Sequence, residues 1–429
     1  MTLRQPPSTK VIFTASLVGT SIEWYDYYIF GTASALAFGA VFFPEFSAFA
    51  GTLAAFATFA VGFVVRPFAG AIIGHFGDRI GRKPLLVLTL MLTGCATALI
   101  GVLPTYAAIG VGAPILLVTL RIIQGFGVGG EWGGAILIAT EHAAPRRRAL
   151  YGSFAQYGVP IGVLTSNLVF LAISGLPDED FLAYGWRIPF LISIVLVVVG
   201  LVTRVKLTDA PEFARVKETD EVSRVPFVEL VRTHPRSLGL AAVAAIAPPA
   251  IGYTVIVYLL SYGTTVVGFA RSTLLTLILV STMLWIVAIG VAALAADRYG
   301  AKRVYVWGAV VAVVWPVPMF VLIDTGSVGP ALVAVLVAAV PQGIMAGAQG
   351  GLFTSLFPVR VRYTGISIAY QMGGIVGGAV NPLVATALQR AGGSTYVAVY
   401  LTVLCLASFV AALLLPAGDR AEAAAPATE

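Results

Sequence analysis

Five charged residues interrupt the long apolar runs of this sequence: Glu23, Asp26, Arg66, Arg121 and Glu131. An unpaired charge at the centre of a bilayer costs about 3 kcal/mol even on the scale that penalises it least. Charged side chains at such depth therefore face each other or a water-filled cavity, and they mark substrate and proton pathways. The pattern predicts that these five side chains carry the chemistry of the protein.

The three acids are candidates for proton transfer. Glu23 and Asp26 are three residues apart, so they share one face of a helix. Dehydration disfavours the charged form of a carboxyl group, which lets an intramembrane acid bind a proton near neutral pH. We interpret Asp26 and Glu23 as the best proton-coupling residues and Glu131 as the third. The alternative is that these acids sit in buried ion pairs that only stabilise the fold.

The two arginines, Arg121 and Arg66, are candidate anchors for an anionic substrate. A guanidinium group keeps its charge and binds a carboxylate through two parallel hydrogen bonds. Protonation of a carboxylate that pairs with such an arginine would free the arginine to bind substrate. The second half of the chain has no formal charge inside a predicted span. From that half we expect uncharged contacts, with Tyr253 and Gln371 as the substrate-binding candidates.

The composition is that of a membrane protein. Of 429 residues, 59% are hydrophobic and 11% are charged, and the mean hydropathy is +0.94. A soluble domain has far more charge, and a membrane barrel would alternate apolar with polar residues. Roughly 20 apolar residues cross a bilayer as a helix. We predict twelve such spans, at 12–40, 52–74, 84–104, 114–139, 149–174, 188–204, 238–262, 273–296, 304–323, 330–356, 363–388 and 396–415.

The basic residues set the orientation. Most of the 26 lysines and arginines fall in loops on one side of the predicted spans, whereas Arg187, Arg271 and Arg390 fall on the other. Basic loops stay in the cytoplasm, so we predict that both termini are cytoplasmic. The same clustering at membrane edges indicates contact with lipid and no nucleic-acid partner. Cys95, Cys405 and the three histidines form no cluster of metal-ligand spacing, so we expect no metal and no cofactor.

The chain contains an internal repeat. The loop Gly74–Pro84 has an echo at Asp297–Arg303, and each reads Asp-Arg-x-Gly followed by basic residues. Gln124-Gly125 and Gln156-x-Gly158 also recur in the second half at almost the same offset. A duplicated unit with an even number of spans gives two parallel six-helix halves.

The two repeated loops are candidates for a gate. Asp78 is an acid inside a basic turn, and we expect it to pair with Arg79 or with a helix N-terminus in the other half. Positive charge at a cytoplasmic loop explains Arg82 by itself, so pure orientation is the alternative for the loop. The predicted gating residues are Asp78, Arg79, Arg82, Glu141, Asp297 and Arg298.

Several motifs point to one family. Gly74-x-x-x-Asp78-Arg79-x-Gly81-Arg82-Lys83 resembles the loop signature of the major facilitator superfamily, and Arg121-x-x-Gln124-Gly125 resembles its fourth-helix motif. Other segments resemble its metabolite:proton symporter family, namely Glu23-Trp24-Tyr25-Asp26, Arg66-Pro67, Gly129-Gly130-Glu131-Trp132, Gly185-Trp186-Arg187-Ile188-Pro189-Phe190 and Arg362-Tyr363-Thr364-Gly365. The resemblance implies transport of dicarboxylates, citrate, shikimate, or proline and betaine.

We therefore predict an all-α membrane protein of twelve helices in two pseudo-symmetric six-helix bundles. The expected parts are residues 1–204, a cytoplasmic linker 205–237, residues 238–416 and a disordered tail 417–429. The predicted function is proton symport of a small organic acid or zwitterion by alternating access, in a monomer of the bacterial inner membrane. Alternatives are a proton-coupled exporter, a sodium-coupled importer, and a transporter-like membrane sensor. We expect no enzyme activity, because no nucleophile lies with a histidine or metal set at depth.

Overall fold

The structure is a computed structural model that describes residues 9–80, 82–128, 136–137, 139–140, 143–144, 147–206 and 226–416. Within these, side chains are described except those of 9–12, 14–16, 70–86, 202–206, 226–228 and 359–360. The described chain is helical throughout its regular parts, and no strand occurs in it.

Twelve long helical segments follow one another along the described chain. They are α1 (Thr9–Ala33, continued by Ser34–Phe38 and Gly39–Phe42), α2 (Ala48–Ile80), α3 (Arg82–Gly101), α4 (Gly112–Val128), α5 (Arg148–Gly152 and Phe154–Ala172), α6 (Arg187–Lys206), α7 (Pro235–Val267), α8 (Arg271–Tyr299), α9 (Ala301–Val314 and Pro316–Ile323), α10 (Val328–Thr354), α11 (359–391) and α12 (394–414).

Length and hydropathy support the membrane assignment. In the described residues, seven helical stretches are long and apolar enough to cross a bilayer, and the bent α9 makes an eighth. One of the seven, Val361–Leu414, has 54 residues. That is about 80 Å of helix against a hydrocarbon core of about 30 Å, so it crosses twice. It bends between α11 and α12 at Gly392 and Gly393, where Gly393 has a φ of 71° that favours glycine.

The predicted spans fall on the observed helices. The fourth can be followed only to Val128, because most of 129–146 lies outside the described residues. The predicted linker 205–237 contains a short helix, Pro226–Thr233, whose Leu230 is fully buried. Part of this linker therefore packs against the bundle, whereas 207–225 and the tail 417–429 lie outside the described residues.

Close helix packing positions α1, which carries the predicted proton-coupling acids. A Cβ atom at Gly158 of α5 would lie 2.5 Å from Thr20, and one at Gly162 would lie 2.6 Å from Trp24. Only glycine allows this approach, since real Cβ atoms do not come so near other heavy atoms. The α1–α5 contact thereby fixes the rotation of α1 and turns Asp26 toward α3 and α4.

Close packing at a glycine also brings α2 and α4 together. A Cβ atom at Gly125 would lie 2.5 Å from the backbone oxygen of Gly62, so the two backbones are in contact. Small residues let membrane helices approach in this way. The contact carries Arg66 on α2 and Arg121 on α4 toward the aromatic side chains of α1.

Candidate functional site

Arg121 lies at the centre of the first half with 0% of its side chain exposed. Its guanidinium carbon is 4.2 Å from the ring centroids of both Tyr27 and Phe30. Its Nε and Nη2 donate to the backbone oxygen of Phe59 at 3.4 and 3.3 Å. A desolvated cation over an aromatic ring gains about 2 kcal/mol, which offsets part of the cost of burial. In the described residues, no carboxylate lies within salt-bridge distance of Arg121.

Arg66 shares the same tyrosine. Its guanidinium carbon is 3.9 Å from the centroid of Tyr27 and 4.8 Å from that of Phe63, and 3% of the residue is exposed. The Arg66 Nε and the Tyr27 hydroxyl have no hydrogen-bond partner among the described residues. We call Tyr27, Arg66 and Arg121 the arginine cluster. It places two guanidinium groups against one aromatic ring, and the Arg66 Nε keeps unused hydrogen-bonding capacity.

Asp26 lies near Arg121, and hydrogen bonds link Arg121 to the backbone of Asp26 through Gln124. The acid is 2% exposed, and its Oδ1 has no partner among the described residues. The Thr97 hydroxyl on α3 lies near this carboxyl group but donates to the Thr93 backbone oxygen at 2.8 Å. The Gln124 Nε2 donates to the Thr97 Oγ1 at 2.8 Å, and the Arg121 Nη1 donates to the Gln124 Oε1. Arg121, Gln124 and Thr97 therefore form a chain of hydrogen bonds, and the Gln124 Nε2 also lies 3.5 Å from the backbone oxygen of Asp26.

Glu23 lies one turn before Asp26 and is partly exposed. It interacts electrostatically with Tyr27 of its own helix and with Tyr370 of α11. The two neighbouring acids thus have different surroundings. Asp26 is directed into the first half, and Glu23 is directed toward the contact with the second half.

The second half contributes tyrosines to the site. Tyr253 of α7 stacks on Tyr28 of α1 with ring centroids 5.7 Å apart, and its ring lies 5.7 and 5.5 Å from Phe59 and Phe63. Its charge interactions extend to Arg66 and to Arg121. The structure therefore places Tyr253 beside the arginine cluster, and its contact with substrate stays a prediction.

Gln371 of α11 is buried, but no described contact joins it to the arginine cluster. Its neighbour Tyr370 is the α11 residue in electrostatic range of Arg66 and Glu23. The substrate-binding role of Gln371 stays a prediction.

A second set of contacts joins the halves along α5, and we call it the seam. At one end, Asp297 of α8 accepts hydrogen bonds from the Ala149 and Leu150 amides at 2.8 and 3.2 Å. These amides belong to the first turn of α5, where helix N–H groups lack partners and the helix dipole favours an acid. Deeper in the seam, the Gln156 Nε2 donates to the Gln349 Oε1 of α10 at 2.8 Å.

The other end of α5 meets Arg271, the first residue of α8. The Arg271 Nη2 donates to the backbone oxygens of Ser174 and Leu176 at 3.2 Å each, and its guanidinium lies 3.9 Å from the Phe181 ring. Cations are favoured beside helix C-terminal carbonyls. One helix of the second half therefore contacts the first turn of α5 at one end and the turn that follows α5 at the other, so the halves meet at both faces of the molecule.

Comparison with known proteins identifies the family. The model of the Major Facilitator Superfamily matches residues 13–375. The chain belongs to the Major Facilitator Superfamily. It is therefore a multi-pass membrane transporter with two six-helix bundles, not an enzyme, and the predicted fold class and family are confirmed.

The relatives of this superfamily member carry metabolites. The chain is 40% identical over 418 residues to the inner membrane metabolite transport protein YhjE of Escherichia coli K12, covering 95% of this chain and 94% of that one. It is also 40% identical over 412 residues to the shikimate transporter of the same organism, covering 95% and 94%. The crystal structure of a D-xylose-proton symporter matches with a TM-score of 0.75, 18% identity and coverage of 96% and 98%, which shows the shared fold.

The structure of this transporter describes only some of the predicted gating residues. Asp297 contacts the other half, whereas the exposed Arg298 lies 5.2 Å over the neighbouring Tyr299 ring. The remaining predicted residues lie outside the described side chains, and they are Asp78, Arg79, Arg82, Glu141 and the third proton candidate Glu131. The gating role of all six residues stays a prediction.

Sequence reasoning missed some members of the site. Tyr27 gives no signal of its own in the sequence, because buried aromatic residues usually serve packing. Gln124 stood inside the Arg-x-x-Gln-Gly motif, and its i, i+3 spacing from Arg121 was the available signal. No feature of the sequence selects Thr97, since its role depends on how α3 packs against α1 and α4.

Proposed function

We propose that this transporter imports a small carboxylate-bearing metabolite together with a proton, by alternating access of two bundles formed by residues 1–204 and 238–416. The observation that carries the proposal is the arginine cluster, whose Arg121 bonds to Gln124, which in turn lies 3.5 Å from the backbone oxygen of the buried acid Asp26. A fixed cation recognises an anion, and a linked titratable acid supplies a way to couple that recognition to protons.

The substrate class follows from the guanidinium groups. Arg66 and Arg121 can form paired hydrogen bonds to a carboxylate, which an ammonium group cannot do in the same geometry. Shikimate, transported by a relative at 40% identity, has one carboxylate and a hydroxylated ring. Tyr253 and Tyr28 lie beside the cluster and offer aromatic faces and hydroxyl groups to such a ring. Proline and betaine also present a carboxylate, so the zwitterions fit the same anchor.

The proton carrier is Asp26 in this proposal. Its buried carboxyl group interacts with no charged side chain of another described residue, and surroundings of this kind tolerate a neutral acid at lower cost than an anion. Glu23 remains the second candidate and Glu131 the third. The proton and the substrate enter together while the face at Arg271 is open. They leave on the other side after the seam opens at Asp297. With the basic loops in the cytoplasm, this direction is import.

The test is transport by purified protein in proteoliposomes, with shikimate, proline and betaine as probes. We expect an inward proton gradient to drive accumulation, and an ionophore that collapses the gradient to abolish it. Accumulation driven by a sodium gradient at equal pH would replace the proton with sodium. Uptake that is driven only by an outward-directed proton gradient would identify a proton-coupled exporter. No movement of any probe would contradict the proposal.

A further inference from the structure

We infer that the substrate carries hydroxyl groups beside its carboxylate, and that the side-chain hydroxyls of Tyr27 and Tyr253 recognise them. The inference rests on the proposed transport of a carboxylate-bearing metabolite, and it narrows the substrate class to hydroxylated acids. It gives Tyr27 a binding role, and it ranks hydroxylated acids above zwitterions that carry a quaternary ammonium group.

Three buried polar groups at the arginine cluster have no hydrogen-bond partner among the described residues. They are the Arg66 Nε, the Tyr27 hydroxyl and the Tyr253 hydroxyl, on residues that are 3%, 1% and 2% exposed. A buried polar group without a partner destabilises a protein, so native structures pair nearly all of them. A ligand that brings its own hydrogen-bonding groups accounts for all three together.

The three groups belong to side chains that surround the same two rings. The Tyr27 ring lies 5.4 and 4.7 Å from the rings of Phe59 and Phe63. The Tyr253 ring lies 5.7 and 5.5 Å from the same two rings. The Arg66 guanidinium carbon is 4.8 Å from the Phe63 centroid. Tyr27 belongs to the first half and Tyr253 to the second, so one small ligand can bond to both halves here.

The chemistry of these groups fits a hydroxylated acid. The Arg66 Nε is a donor, and a guanidinium group pairs with a carboxylate through parallel hydrogen bonds. The hydroxyl of a tyrosine both donates and accepts, so it can pair with an alcohol hydroxyl in either direction. Together the groups offer partners for one carboxylate and for neighbouring hydroxyl groups of the same molecule.

The aromatic faces at this site are already in use. The guanidinium carbons of Arg66 and Arg121 lie 3.9 and 4.2 Å from the Tyr27 centroid. Tyr28 stacks on Tyr253 with ring centroids 5.7 Å apart. A quaternary ammonium group binds to free aromatic faces and has no hydrogen-bond donor. It would compete with the arginines for these faces and leave both tyrosine hydroxyls unpaired, so the site disfavours it.

The test is a binding cycle that removes hydroxyl groups from the protein and from the ligand separately. Calorimetry on purified protein measures the affinity for shikimate, for its hydroxyl-free analogue cyclohex-1-ene-1-carboxylate, and for glycine betaine. We expect the wild type to bind shikimate about tenfold or more tightly than either of the others. Tyr27→Phe and Tyr253→Phe keep the rings, and each should weaken shikimate binding about tenfold. Each should change the affinity for the analogue less than about twofold.

Thermal stability without ligand separates recognition from a structural role. Removal of an unpartnered buried hydroxyl relieves a cost, so Tyr27→Phe and Tyr253→Phe should melt at the wild-type temperature or about 2 °C above it. Tyr305→Phe is the matched control, because the buried Tyr305 hydroxyl donates to the Ala244 backbone oxygen at 2.7 Å. This variant should melt below the wild type and bind shikimate with unchanged affinity.

The outcomes that overturn the inference differ from those that overturn the proposed function. If both tyrosine variants weaken shikimate and its analogue equally, or if betaine binds as tightly as shikimate, the inference is wrong. Transport of a carboxylate anchored by the arginines then still stands. If one variant does not fold, the other decides. Absence of binding and of uptake for all three probes overturns the proposed function as well.

Discussion

The arginine cluster and the seam differ in which parts of the chain their polar contacts join. The hydrogen bonds from Arg121 through Gln124 to Thr97 all stay within the first half. At the seam, the hydrogen bonds that Asp297 accepts and those that Gln156 and Arg271 donate all cross between the halves. The cluster can therefore keep its chemistry while the halves move, and the seam contacts are the ones that alternating access must break and remake. Substitutions in the two regions should consequently change different measurements.

Arg121→Lys should have the largest effect on transport. An ammonium group cannot make the paired bonds of a guanidinium and leaves a buried cation with fewer contacts, so we expect uptake to fall about 100-fold or more. The measurement is initial uptake into proteoliposomes at equal protein content. Arg390→Lys is the matched control, since Arg390 lies over Phe49 outside the site. Uptake near the wild-type rate in Arg121→Lys would show that the cluster does not anchor the substrate.

Gly62→Ala should disturb the cluster without changing any charge. A Cβ atom at this position would lie 2.5 Å from the Arg121 Nε, so the guanidinium must shift. We expect KM to rise about tenfold with a smaller change in kcat, because a displaced anchor weakens substrate binding first. Gly239→Ala is the matched control, because a Cβ atom there meets no heavy atom within 4 Å. Equal KM values in the two variants would contradict the position assigned to Arg121.

Asp297→Asn should change the seam and leave the cluster intact. Loss of the charge at the N-terminus of α5 weakens the contact by about 1 kcal/mol, which shifts the open population about fivefold. The measurement uses a protein without Cys95 and Cys405 in which a cysteine replaces the buried Ser153. This cysteine should react with a polar maleimide about fivefold faster in Asp297→Asn than in the same protein with Asp297 intact. Substrate affinity at equilibrium should change much less than the labelling rate. Arg303→Gln, which removes an exposed charge from the first turn of α9, serves as the control. An unchanged labelling rate in Asp297→Asn would count against the gate.

At the opposite end of the seam we expect the smallest effects. Asp178 is 90% exposed and lies 3.5 Å from Arg271, and an exposed ion pair contributes about 0.5 kcal/mol. Asp178→Asn should therefore change uptake by about twofold or less. Arg271→Gln also loses the hydrogen bonds to two backbone oxygens, so it should change uptake about threefold. A larger effect of Asp178→Asn than of Arg271→Gln would show that the ion pair, and not the helix end, closes this face.

Hydropathy and repeat spacing are sufficient to predict the fold. Twenty-residue apolar runs must become helices in a bilayer, and the matching positions of Asp78 and Asp297 indicate the duplication. The cost of intramembrane charge selects Asp26, Arg66 and Arg121 in the same way. The fold prediction is confirmed because the membrane imposes these constraints on each segment separately, whereas the roles of the three residues stay predictions.

The connections among these residues were beyond sequence reasoning. We expected carboxylates and arginines to pair directly, but the described hydrogen bonds join Arg121 to Gln124, and Gln124 to Thr97 and to the backbone oxygen of Asp26. Which residue of α3 reaches Gln124 depends on the rotation of three helices, which the glycines Gly158, Gly62 and Gly125 set by close packing. Hydropathy is insensitive to such rotations.

The central claim is that Asp26 carries the coupled proton, and Asp26→Asn tests it most directly in proteoliposomes. The variant should still exchange labelled for unlabelled substrate across the membrane at about one third of the wild-type rate or faster, because exchange needs no net proton movement. It should lose accumulation driven by a pH gradient, so that the internal concentration only equals the external one. Accumulation by Asp26→Asn at the wild-type level, with an unchanged pH profile, would contradict the account.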